Sequence, residues 1–170
     1  MRSNCANSLY EIMMISIVLQ NSTVKRTTQM MNNLFNTYGS KLKFDDRELL
    51  AYWNPETLAS IAEEDLRTLK VGYRAKMIKR VSEAFTRREI DETKLRKMST
   101  EDSKKELMKL YGVGPATAQI ILSGYLRRYD TFELKGRFWE QKILSRALFG
   151  RKLVSPDRIT SEFEKRYGKW

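Results

Sequence analysis

The turn Leu110-Tyr111-Gly112-Val113-Gly114-Pro115 has the composition of an anion-binding element. Two glycines one residue apart admit a positive φ, or the close approach of another backbone. Pro115 suits the first position of a helix, where its missing N–H is no loss. Unpaired amides at a helix start, added to the helix dipole, attract a phosphate-like group. A plain helix–helix turn without a ligand would use the same residues. Further on, Lys135 lies in Phe132-Glu133-Leu134-Lys135-Gly136-Arg137. Its amine is a nucleophile if desolvated, and an ordinary surface cation if not. Tyr10, Tyr52, Trp53, Phe138 and Trp139 offer rings that could stack on a flat ligand or fill a core.

Other chemistries lack their parts. The chain has no histidine and a lone cysteine, Cys5, so an internal disulfide is impossible. Zinc sites, cysteine-ligated iron–sulfur clusters and triads built on histidine are excluded with it. No metal and no cofactor is implied. Any reaction must use carboxylates, lysines, hydroxyls or backbone groups.

Charge narrows the partner. Thirty-two Lys and Arg against 21 Asp and Glu give a net charge of +11, spread along the whole chain. Such a field favours polyanions, nucleic acid first and an acidic membrane surface second. The longest apolar run, Ile12 to Leu19, falls short of the ~18 residues of a membrane span. It also lacks a signal-peptide cleavage site. The expectation is an intracellular protein of cytoplasm or nucleoid, with no membrane partner.

The elements that must position these groups read at helical period. Tyr10, Met13, Met14, Ile17 and Val18 repeat at three and four, as do Met30, Met31, Leu34 and Phe35. Asn54 and Pro55 read as a cap and first helical position, with Leu58, Ile61 and Ala62 on one face. Met77, Ile78, Val81 and Phe85 form another stripe. A helix from Thr100 stops at Gly112, one from Pro115 runs to about Arg128, another ends at Gly150, and Ser155-Pro156 opens the last. Thr131 to Leu134 could be locally extended, but no alternating pattern lasts long enough to build a sheet. The expected fold is all-α, about nine to eleven short helices in a single domain over residues 1–170.

Three stretches carry a family likeness. "LYGVGPATAQIIL" resembles the helix–hairpin–helix element of the DNA glycosylase superfamily that includes endonuclease III and the adenine, 8-oxoguanine and alkyladenine glycosylases. "YEIMMISIVLQNSTV" is similar to that family's early helix and the turn after it, with Leu19, Gln20 and Ser22 at matching places and Asn21 at a second Gln. "LASIAEEDLRTLKVGYRAKMIKRVSEAF" looks like the segment that precedes the hairpin. The likeness spans residues 8 to 150, with the helix–hairpin–helix at about 101–128, and lacks the cysteine-rich cluster loop of some relatives.

The resemblance implies a two-lobed helical fold with a cleft between the lobes. Its members bend duplex DNA, flip a damaged or mispaired base and cut the N-glycosidic bond. The hairpin amides of Gly112, Gly114 and Ala116 would hold a phosphate, with Val113 bracing the turn and Thr117 following. Gln20 and Asn21 would border the gap left by the extruded base, although Gln20 could equally cap its own helix. By residue type alone, Arg137, Arg74 and Lys76 read as phosphate contacts rather than catalysts, or as an ordinary solvated face. Tyr10, Trp53 and Trp139 are the candidate base pocket, each competing with a core role. The implied partner is double-stranded DNA with a damaged, mismatched or abasic site, bound by a monomer. The closing "RYGKW" resembles the start of an element that often continues in the superfamily.

Two positions depart from the pattern. Ala116 stands where bifunctional relatives carry the lysine that attacks the sugar. Lys135 stands, counting without a gap from Gly112, where the family keeps an aspartate that stabilises the sugar cation. Four explanations are open: an inactivating change, a stand-in carboxylate at Glu133 or Asp130, Lys135 itself as an abasic-site lyase nucleophile, or a shifted register. A non-catalytic DNA-binding module built on the same hairpin is the rival reading.

Overall fold

Helix α1 (Leu9–Leu19) is apolar on nearly every side, and eight of its residues are buried. A helix of that kind belongs in the middle of a bundle, and α1 packs there against α2 (Val24–Tyr38), α5 (Arg74–Thr86) and α8 (Pro115–Gly124). The computed structural model describes residues 6–128, 134 and 138–168. These fall into two compact units, one ending at Arg128 and the other beginning at Tyr129.

In the first unit Ile12, Met13 and Ile17 meet Ile78, Val81 and Ile121 in one core, all without solvent exposure. Burying a side chain of this size contributes roughly 1.5–3 kcal/mol, so α1 anchors everything hung on its ends. Ser8 caps α1 by accepting from the Glu11 amide at 3.2 Å. Thr23 does the same for α2, accepting from the Arg26 amide at 3.3 Å. The result is the expected helical class.

Between α2 and the next helix lies a hairpin that the helical reading did not foresee. Strands β1 (Ser40–Phe44) and β2 (Arg47–Ala51) pair antiparallel, with Leu42 opposite Leu49 and Lys43 opposite Glu48. Asp45 turns the chain at φ 50°. Both faces of the hairpin are exposed, so no buried stripe marks it in the sequence.

The helix expected from Pro55 onward is broken in two. Helix α3 (Pro55–Ser60) stops at Ile61, which is extended at ψ 140°. Asn54 stands at its cap position without a side-chain cap bond. Helix α4 (Glu63–Leu66) then restarts, with Glu63, Glu64 and Asp65 stacked in its first turn. Three acids favour a new positive helix end over burial within a continuous one. A π-helical turn, Arg67–Val71, follows and contains Lys70 in the left-handed region at φ 63°. Asn33 donates to the Leu69 carbonyl at 2.9 Å and pins that turn to α2.

Helices α6 (Glu92–Lys97) and α7 (Thr100–Met108) complete the unit with α8, which ends at Gly124, short of the expected Arg128. In the second unit α9 (Phe138–Phe149) packs on α10 (Pro156–Tyr167) around Leu134, Val154 and Ile159. The Val154 amide donates to Ser145 Oγ at 2.9 Å, and Gln141 donates to the Val154 carbonyl at 2.7 Å. Among the described residues no helix is long and apolar enough to cross a membrane.

Candidate nucleic-acid interface

The link between α7 and α8 is built for open amides. Ser99 caps α7 by accepting from the Asp102 amide at 3.1 Å. After α7 the chain tightens, and the Val113 amide closes the turn on the Leu110 carbonyl at 3.1 Å. Val113 is buried and braces the loop on the core. Gly112 is left-handed at φ 80°, and a Cβ there would lie 2.6 Å from Met77 Cγ. Only glycine meets both demands. Gly114 takes an extended conformation as the cap of α8, with nothing within 4 Å of a Cβ built on it. The first bond of α8 runs from the Ala118 amide to the Gly114 carbonyl at 2.9 Å. Among the described residues no backbone acceptor pairs with the amides of Gly112, Gly114, Ala116 or Thr117.

These amides border a surface cleft of about 410 Å³. Gln20, Asn21, Gly112, Gly114, Ala116 and Thr117, all singled out from the sequence, line it together with Leu19 and Ser16. The Ser16 hydroxyl is buried at its edge without a hydrogen-bond partner.

Gln20 ends its own helix, as one reading of the sequence allowed, and adds a side-chain tie that neither reading contained. Its backbone amide ends α1 on the Ile17 carbonyl, while its side-chain amide donates to the Gly112 carbonyl at 2.9 Å and to Thr117 Oγ1 at 3.0 Å. The end of α1 is thereby tied to the hairpin. Arg74 backs the tie: its guanidinium donates to the Gln20 carbonyl. Arg74 is only 3% exposed, so its reading as a phosphate contact is corrected to that of an internal brace. Tyr73, missed in the sequence, is exposed beside it, with the Arg74 guanidinium 4.6 Å from its ring centroid and Asn21 Nδ2 at 3.5 Å from its hydroxyl. Asn21 sits at φ 46°, a conformation asparagine tolerates better than most residues. Lys76 is exposed, its amine 5.3 Å from the Tyr111 ring centroid.

The proposed base pocket does not gather at this cleft. Tyr10 and Trp53 are 5% and 3% exposed and hold each other in the core. Ser82 donates to the Ile78 carbonyl, so Tyr10 donates to Ser82 Oγ at 2.7 Å and accepts from Trp53 Nε1 at 3.2 Å. Phe85 packs edge-on to Tyr10, and Phe35 to Trp53. Nearly buried and held by these neighbours, the two act as core residues. They edge a separate cleft of about 510 Å³ at the amino end of α1, and an 11-residue helix puts its two ends about 16 Å apart. Burial pushes the Tyr10 hydroxyl up to about 12 and the Tyr52 hydroxyl upward as well. Trp139 is 72% exposed on α9 of the second unit. Lys135 and Arg137, with Glu133 and Asp130, lie outside the described residues.

A helical bundle carrying a capped hairpin of this kind has the fold of the helix–hairpin–helix DNA glycosylases. The chain belongs to the HhH-GPD superfamily of base excision DNA repair proteins, whose family model matches residues 14–157. A probable N-glycosylase/DNA lyase of Methanothermobacter thermautotrophicus is 27% identical over 184 residues, covering 96% of this chain and 57% of its own. The solved structure of MBOgg1 in complex with a low-affinity DNA ligand superposes with a TM-score of 0.78 at 25% identity, over 95% of this chain and 55% of that one. The 8-oxoguanine glycosylase/lyase of Clostridium acetobutylicum, solved with DNA holding cytosine opposite 8-oxoguanine, gives 0.75 at 23% identity over the same shares. The chain spans a little over half the length of these relatives.

Proposed function

We propose that this chain is a base-excision repair DNA glycosylase by build: it grips double-stranded DNA at a damaged, mismatched or abasic site and accepts a nucleotide swung out beside its hairpin, with its bond cleavage altered at Lys135. The observation that carries this reading is the set of unpaired amides at Gly112, Gly114 and Ala116 on one cleft, held in place by Gln20. Flipping costs a few kcal/mol of pairing and stacking, least for a damaged base or an abasic site. A field of +11 adds attraction for the backbone at any sequence. The place of action is with the DNA, inside the cell.

The chemistry turns on two side chains. Ala116 offers no amine, so base release would use water. Counted without a gap from Gly112, Lys135 takes the place of the family's aspartate, and a cation there opposes the positive charge that grows on the sugar as the base leaves. Hydrolysis of the glycosidic bond is therefore suppressed in this chain, and lesion binding remains. A second reading follows from the same two residues. With Ala116 vacating the usual place, the Lys135 amine would condense with the aldehyde carbon of an abasic sugar, expelling water and forming an imine.

Base release from alkylated, oxidised, deaminated and mismatched duplexes, before and after Lys135→Asp, tests the assignment. The expected result is no release by the natural chain and release from at least one substrate by the variant. An inert variant overturns Lys135 as the cause of suppression. Release by the natural chain points instead to Glu133 or Asp130 as the working carboxylate. Borohydride added with an abasic duplex traps an imine; a covalent adduct lost in Lys135→Gln establishes the lyase reading, and no adduct removes it.

A further inference from the structure

A cavity with three cations in its lining reaches Gly72, which precedes the Tyr73–Arg74 pair that touches the Gln20–Asn21 junction. Its volume is about 330 Å³, and Arg26, Gln29, Met30, Arg67, Lys70 and Gly72 line it. Arg67 is engaged with Glu63 at 2.6 Å. No ion pair joins Arg26 or Lys70 to a carboxylate among the described residues. Asn33 fastens the Leu69 carbonyl to α2, and Lys70 next to it is held left-handed at φ 63°, a conformation that costs a lysine about 1–2 kcal/mol. Lys70 and Arg26 both line the cavity.

The position of the cavity indicates its occupant. Gly72 is followed by Tyr73 and Arg74, which touch Asn21 and the Gln20 carbonyl. Gln20 in turn touches Gly112 of the hairpin. The junction thus meets open amides through Gln20 and, through Gly72 to Arg74, a cavity lined by Arg26 and Lys70. A single strand laid on the hairpin satisfies the amides alone, whereas a duplex brings a second backbone. We infer that the cavity takes a phosphate of the complementary strand, held by Arg26 and Lys70. This rests on the proposed function, which supplies the duplex.

The test is equilibrium binding of the full chain and of Arg26→Gln/Lys70→Gln to a duplex with a tetrahydrofuran abasic-site analogue, to the same strand alone, and to an intact duplex. The variant is expected to bind the abasic duplex about tenfold more weakly, with a salt slope smaller by about one, since each phosphate neutralised displaces roughly one counterion. Its affinity for the single strand stays within about twofold. Lys152→Gln/Lys165→Gln, which removes two exposed charges from the second unit, leaves the duplex-to-single-strand ratio unchanged. Phosphate-ethylation interference on the complementary strand, present with the natural chain, disappears with Arg26→Gln/Lys70→Gln. Equal losses on duplex and single strand, or no loss, overturn the site. If the natural chain prefers the abasic duplex and the variant keeps that affinity, only the second-strand site falls. If the natural chain shows no such preference, both readings fall.

Discussion

Gln20 and Gly112 are 92 residues apart in the chain, yet Gln20 Nε2 donates to the Gly112 carbonyl at 2.9 Å. The same nitrogen reaches Thr117 Oγ1 at 3.0 Å, so one side chain fixes both the turn and the first coil of α8. Gln20→Ala leaves the buried Thr117 hydroxyl and a carbonyl without a donor, a loss of about 1–3 kcal/mol. Thermal unfolding should show that loss, with weaker binding to an abasic duplex. Gln20→Glu should be worse than alanine on both counts, because it sets a carboxylate against the carbonyl and the incoming phosphate.

The two hairpin glycines separate fold from ligand. At Gly112 the left-handed φ of 80° and the Met77 contact at 2.6 Å make any Cβ costly. Gly112→Ala should destabilise the protein by about 1–3 kcal/mol. Gly114 has an ordinary φ of −91° and open space around a Cβ, so Gly114→Ala should leave the melting temperature within about 1 °C while filling the place where a backbone must approach. Reduced DNA affinity without reduced stability is the expected outcome for Gly114→Ala alone.

Arg74 is the hidden partner. Its guanidinium holds the Gln20 carbonyl from a site that is 3% exposed, and its Nε has no hydrogen-bond partner. Arg74→Ala should lower stability by roughly 2–4 kcal/mol, as expected for loss of a buried charged donor. Coupling to Gln20→Ala in a double-mutant cycle should be non-additive, because both changes release the same junction.

Why the hairpin was legible in the sequence and its clamp was not follows from where each is encoded. Gly112, Val113, Gly114 and Pro115 are local: positive φ, a core brace and a helix start each demand one residue type at one place. Gln20 and Arg74 meet only after α1, α5 and α8 have packed, and no spacing announces a bond across 92 residues. The same holds for Tyr10 and Trp53, whose hydroxyl and indole nitrogen satisfy each other in the core at 3.2 Å. Read one by one, polar-tipped aromatics look equally suited to a pocket. The hairpin at residues 40–51 escaped because its exposed faces give no burial pattern, and the break after Ser60 escaped because Ile61 and Ala62 continue the helical stripe in composition alone.

Alkaline pH reports on the Tyr10 network. Burial raises its hydroxyl from 10.0 to about 12, so the folded chain keeps the proton where the unfolded chain has lost it. Stability from this group is complete below pH 10 and is lost as pH rises toward 12, by on the order of 2–3 kcal/mol. Urea unfolding at stepped pH should show that fall. Tyr10→Phe, less stable at neutral pH through the loss of its bonds to Ser82 and Trp53, should show a shallower one.

The hairpin's grip on DNA is read most directly by amide NMR of the 15N-labelled protein during titration with a duplex carrying an abasic-site analogue. The Gly112, Gly114 and Ala116 amide resonances are expected to move downfield to saturation in step with binding, and to move less in Gly114→Ala. Saturation of the protein while those three resonances stay in place would contradict a hairpin that holds the backbone.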